Sequence, residues 1–139
     1  MDREIKFRAW DTLQGGKFEY WDPKTDKYDG IFWTMIKDKS FKEPNQFTGF
    51  KDINGKDIYE GDILRVLSSH ECWKNDNFTV IFRFGAFQLE VKRTPGSIAF
   101  LTYAIQLFDH VDEYTGEEEE LSKYIEVIGN IYENTELIN

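Results

Sequence analysis

The stretch from Gln46 to Val66 limits the fold of this chain more than any other, because it sets two tight reversals close together and follows them with a strand. Lys51-Asp52-Ile53-Asn54-Gly55-Lys56-Asp57 contains Asn54-Gly55, the dipeptide whose tolerance of positive φ suits a two-residue hairpin turn. Ile58-Tyr59-Glu60-Gly61-Asp62 follows, with Gly61 available for a second reversal, and Ile63-Leu64-Arg65-Val66 then supplies the apolar content of a core strand. Glycine and asparagine here serve backbone geometry, and Ile58, Tyr59, Ile63 and Val66 are expected mainly to pack. Such a block predicts architecture rather than chemistry.

The rest of the chain repeats the theme. Ile5, Phe7 and Ala9 alternate with Lys6 and Arg8, and a turn at Gln14-Gly15-Gly16 leads into a second strand, Lys17 to Trp21. Phe7, Trp10 and Asp11 recur eleven residues later as Phe18, Trp21 and Asp22, which predicts an N-terminal meander. The apolar run Ile31 to Ile36 is compatible with another strand, and Lys37 to Asn45, with Pro44, with a connecting loop. Phe78 to Phe82 and Ala86 to Val91 flank Gly85 as the two arms of a hairpin. Ile98, Leu101, Ile105 and Phe108 lie at near-helical spacing behind Ser97, so Ser97 to His110 is expected to be a helix. Ser68 to Asn77 and the acidic Asp112 to Glu120 read as loops, and Tyr124 to Tyr132 as a closing strand. The fold class expected is mainly β, or β-rich α+β, as a strongly curved antiparallel sheet or partly open SH3-like barrel with one or two short helices. At 139 residues the chain has the length of one domain, able to bury roughly two thirds of its unfolded surface. An N-terminal meander lobe over 1–45 and a barrel-like lobe over 46–139 are its natural subdivisions.

Function classes are narrowed by charge and by spacing. The net charge is −9. Residues 1–70 hold 12 basic and 13 acidic side chains, and residues 71–139 hold 5 and 13. A field of that sign disfavours a broad nucleic-acid face. Trp10, Tyr20, Trp21 and Tyr28 nevertheless lie among Arg3, Lys6, Arg8, Lys17, Lys24 and Lys27, a mixture that single-stranded nucleic acid could use, with acids interleaved. Glu117 to Glu120, with Asp112 and Glu113, could imitate phosphates, although a solvated loop is the commoner use of such a run. Asp52-Ile53-Asn54-Gly55 fails the calcium-loop pattern, because its glycine is fourth rather than sixth. Gly49 to Asp57 fails the P-loop pattern, since Lys56 is followed by Asp57 instead of Ser or Thr. His70-Glu71-Cys72 lacks the further ligands a zinc site needs, His110 being the only other histidine. Ser68, Ser69 or Cys72 with His110 form no recognised nucleophile arrangement. No catalytic residue, cofactor or metal is therefore expected. A single cysteine and a charged N-terminus without an apolar run lead us to expect a cytoplasmic protein with no signal peptide or membrane anchor.

Three blocks in order carry a family resemblance: Arg3-Glu4-Ile5-Lys6-Phe7-Arg8-Ala9-Trp10-Asp11, then Gln46-Phe47-Thr48-Gly49-Phe50 through Val66, then Glu126-Val127-Ile128-Gly129-Asn130-Ile131-Tyr132-Glu133-Asn134. Together they resemble the signature blocks of the YopX family and span nearly the whole chain as one domain. Phe50 stands where the family commonly has leucine, and Tyr114 to Glu120 looks longer than usual. The resemblance implies a protein encoded by a bacteriophage or prophage and working in the bacterial host cytoplasm, and it implies no biochemical activity. It marks Trp10, Asp11, Thr48, Gly49, Asp52, Asn54, Gly55, Ile58, Tyr59, Glu60, Gly61, Asp62, Gly85, Gly129, Asn130 and Tyr132 as structural signature residues. The expected function is that of a non-enzymatic accessory protein acting on a host or phage protein, with homo-oligomerisation through sheet edges as a further expectation.

Overall fold

The computed structural model describes residues 4–13, 15–26, 30–67, 77–92, 100–104, 110–111, 118–119 and 125–138. In order the elements are β1 (Phe7–Asp11), β2 (Lys17–Trp21), α1 (Ile31–Lys37), β3 (Asn45–Lys51), β4 (Asp57–Tyr59), β5 (Asp62–Val66), β6 (Asn77–Arg83), β7 (Ala86–Lys92), β8 (Phe100–Ala104), β9 (His110–Val111), β10 (Glu118–Glu119) and β11 (Ile125–Asn130), followed by a 3₁₀ turn at Thr135–Leu137. The architecture is mainly β. One sheet has the order β2-β1-β3-β4, a second the order β11-β5-β6-β7-β8, and β9 pairs with β10. The four-stranded sheet is strongly curled into a half-barrel. The chain divides into two compact units, Met1–Gly49 and Phe50–Asn139.

In the first unit the repeated aromatic motif finds a use that its spacing only hinted at. β1 and β2 run antiparallel, so Phe7 stands opposite Trp21 and Trp10 opposite Phe18, each copy meeting the other in reverse. Ile31 to Ile36, expected to be a strand, is helix α1. Its apolar run is continuous, which periodicity alone cannot assign, and the decisive spacing is Phe32, Met35 and Ile36 turned inward at i, i+3 and i+4. Gly30, at φ 82°, starts the helix. A Schellman motif ends it: Ser40 N–H reaches Met35 O at 3.0 Å and Lys39 N–H reaches Ile36 O at 3.0 Å. Lys39 therefore occupies the left-handed position, φ 62°, that usually belongs to glycine. Trp33 from the helix and Trp21 and Phe7 from the sheet form a triangle of edge-to-face and tilted rings with centroids 5.1–6.0 Å apart.

The second unit has its own core of Ile58, Leu64, Phe78, Val80, Phe87, Leu89 and Ile125, with Phe50 and Val127 against it. Alternation along β6 and β7 places Phe78, Val80, Phe87 and Leu89 on one face, as a half-buried sheet requires. β5 is an interior strand, flanked by β6 and by β11. The β11 register shifts between Val127 and Gly129, so that one extra residue bulges there. The helix expected over 97–110 is overturned at its described residues, while 97–99 and 105–109 lie outside them. Phe100–Ala104 is strand β8, paired antiparallel with β7 from Lys92↔Phe100 to Gln88↔Ala104. Sheet pairing has overridden the helical spacing of Ile98, Leu101, Ile105 and Phe108. Glu118–Glu119, expected in a loop, pairs with His110–Val111 as β10. The loop expected over Ser68 to Asn77 ends one residue earlier, since Asn77 opens strand β6, and residues 68–76 and the remainder of the acidic segment lie outside the described residues.

Candidate functional site

Two buried carboxylates of the Gln46 to Val66 block, Asp52 and Asp62, accept hydrogen bonds from the main chain. Asp52 is 3% exposed. Its Oδ1 accepts hydrogen bonds from the N–H groups of Asn54 and Lys56, both at 2.9 Å, and its Oδ2 accepts one from Val127 N–H at 3.0 Å. One carboxylate thus closes the Asn54-Gly55 turn and holds β11 at its bulge, seventy-five residues away. Asp62 is also buried, and its Oδ2 accepts from Tyr59 N–H at 2.8 Å. Gly61 lies between these two residues at φ 86°. Its N–H donates to Val80 O at 2.8 Å and its carbonyl accepts from Ile131 N–H at 3.0 Å. A side chain here would meet the left-handed penalty at the point where the chain is clamped on both sides. Asn130 Oδ1 accepts from Tyr132 and Glu133 N–H at 3.0 and 2.9 Å. In the first unit Asp11 Oδ1 accepts from Leu13 N–H at 2.8 Å.

The other signature positions are set into the same framework. Trp10 lies on β1, Thr48 and Gly49 on β3, and Ile58 and Tyr59 are buried on β4. Glu60 sits at the reversal before Gly61, and Gly129 follows the β11 bulge. The structure brings Asp52, Asn54, Lys56 and Val127 together, and the bonds that do so are donations from the main chain to a carboxylate. Among the described residues no group of three or more histidine, cysteine, aspartate or glutamate side chains could hold a metal ion. His70, Glu71, Cys72, Ser68 and Ser69 lie outside the described residues.

In the N-terminal mixture of rings and cations, Arg8, Lys6, Lys17 and Trp21 have partners within their own unit, while Lys24 and Tyr20 are exposed. Arg8 is only 3% exposed, with its guanidinium carbon 3.9 Å from the Phe18 ring centroid. Lys6 lies 4.3 Å from the Phe47 ring and 3.3 Å from Glu4 Oε1. Lys17 meets Glu19 at 3.0 Å, and the hydrogen bond to that carboxylate, more than its bare charge, holds the Lys17 ammonium above the ordinary lysine range. Trp21 donates from Nε1 to Asp26 Oδ2 at 3.0 Å while packed in the triangle. These cations face acids or rings, which is poor preparation for a phosphate backbone. Arg3, Lys27 and Tyr28 lie outside the described residues.

One surface stands apart. Strands β6 and β7 close on Arg83↔Ala86, leaving Phe84-Gly85 as a two-residue turn with φ 54° and 77°. Two positive φ angles belong to the type I′ turn, where Asn-Gly is the favoured pair. Here the first position holds phenylalanine, for which the left-handed region costs about 1–2 kcal/mol. Its side chain is 92% exposed. Phe82 beside it is 51% exposed and packs edge-to-face on Phe87 at 5.1 Å. The Arg83 guanidinium carbon is 5.8 Å from the Phe84 ring, and Gln88 Nε2 donates to Arg83 O at 2.8 Å. The hairpin follows from its two β-rich arms, whereas the exposed tip does not. The signal was there as phenylalanine before Gly85, where turn chemistry asks for asparagine or aspartate.

No helix among the described residues is long and apolar enough to cross a membrane. A family model described as YopX protein matches residues 6–139. No curated protein matches the chain.

Proposed function

The chain belongs to the YopX family, and from that premise we propose that it is an accessory protein that acts by binding another protein in the cytoplasm of a phage host. The family is of phage type, without known activity, and is not a known enzyme family. The observation that carries the binding reading is the orientation of the signature polar groups. An acid, base or nucleophile must present its polar atoms to a substrate. Asp52, Asp62, Asp11 and Asn130 instead receive main-chain N–H groups, so the most distinctive side chains of the chain maintain its shape. An exposed apolar projection on such a frame suits recognition better than turnover.

A crosslinking pull-down with the tagged protein, made from phage-carrying cells, tests this reading. One host or phage protein recovered in stoichiometric amount is the expected result. Robust turnover of a substrate by the purified protein, with no such partner recovered, would overturn it.

A further inference from the structure

We propose that the β6–β7 hairpin tip is a docking knob that seats Phe84 in an apolar cleft of a partner protein, with a carboxylate at the rim of that cleft facing Arg83. The inference rests on the protein-binding reading above and names its surface. Turn geometry alone selects a small polar residue at position 84, and solvent exposure alone does the same. Phenylalanine answers neither demand, and at 92% exposed it has nearly its whole ring to bury. The ring also stands on a firm base. Gln88 ties its amide to the Arg83 carbonyl at 2.8 Å, and Phe82 is braced on Phe87. A projection already held in shape loses little conformational freedom on docking.

Shape and charge identify the occupant. A convex tip needs a concave partner, and phenylalanine and arginine are both among the residues enriched at protein interfaces. Arg83 is exposed on a chain whose net charge is −9. The surrounding field opposes approach to anionic lipid or nucleic acid, while a single carboxylate at a cleft rim complements a single exposed cation.

The test uses the full chain with the photocrosslinking residue benzoylphenylalanine in place of Phe84, and separately in place of Leu13, which is also exposed. Irradiated in phage-carrying cells, the first protein should yield one discrete adduct that the second does not. The partner peptide joined to it should contain apolar residues with an aspartate or glutamate. Against that purified partner, Phe84→Asn should bind about 30-fold more weakly and Arg83→Glu about tenfold more weakly. Phe84→Asn should melt at or above the wild-type temperature, because asparagine suits the turn, so weakened binding would not reflect unfolding. If wild type captures a partner that Phe84→Asn binds equally well, the knob is wrong and the protein-binding reading stands. If wild type captures none, both fall. An adduct only to a second copy of the chain would overturn the proposal. So would cosedimentation with phosphatidylglycerol–phosphatidylethanolamine vesicles that depends on Phe84.

Discussion

Asp52 shows how much one side chain can hold. Hydrogen bonds to a charged acceptor contribute about 1.5–3 kcal/mol each, less than additively when they share a group. Asp52→Ala, which strands three N–H groups, should destabilise the protein by about 3–4 kcal/mol, and Asp52→Asn, which keeps one acceptor oxygen, by about 2 kcal/mol. Urea unfolding midpoints measure both, and an alanine variant within 1 kcal/mol of wild type would refute the bridge. Gly61→Ala should cost about 1–2 kcal/mol through its positive φ alone, read from the same transitions. The sequence announced Gly55 and Gly61 as turn formers because their conformational range is intrinsic to them. Asn54, expected to share the positive φ of a two-residue turn, does not adopt it, and Gly55 alone is left-handed, at φ 78°, in a longer turn closed by Asp52 N–H on Lys56 O at 2.8 Å. The sequence could not announce the Asp52 bond to Val127, since a partner seventy-five residues away is chosen by the fold and leaves no local trace.

At the scale of elements, Lys39 marks where sequence and geometry part. Helix α1 stops in a motif that favours glycine at the left-handed position, yet lysine fills it at φ 62°. Lys39→Gly should therefore raise stability by about 0.5–1 kcal/mol, the relieved strain exceeding the added freedom of the unfolded chain. A thermal melt with a lower midpoint would contradict this. The same departure hid the helix, because neither a polar cap before Ile31 nor a glycine after Lys37 announced it. The β6–β7 hairpin was legible because two β-rich runs flanked a glycine, and the double reversal before β5 because its glycines were decisive. Strand β8 was not, because Ile98, Leu101, Ile105 and Phe108 mimic a helical stripe while the pairing partner that decides the outcome lies in β7. The hairpin tip, the candidate site itself, was legible only as an anomaly of composition, and its meaning needed the backbone angle and the exposure together.

For the whole molecule, charge and topology set different terms. A net charge of −9 sets a field that opposes the approach of polyanions. Topology governs the order of events. β5 takes one neighbour from β6, soon after it in the chain, and the other from β11, so Val66 waits for Ile125. On a ribosome that interval lasts on the order of seconds at about 5–20 residues per second. Throughout it the flank of β5 that β11 will cover is an open strand edge, a template for wrong pairing. An arrest-peptide force measurement on nascent chains should accordingly show the pull of the larger unit only after Asn130 has left the exit tunnel, and a full pull with residues beyond Ala104 still inside would contradict it. A message cut short before β11 would then yield not a smaller working protein but a sticky one, which makes the final strand the point at which a nascent chain becomes safe to release.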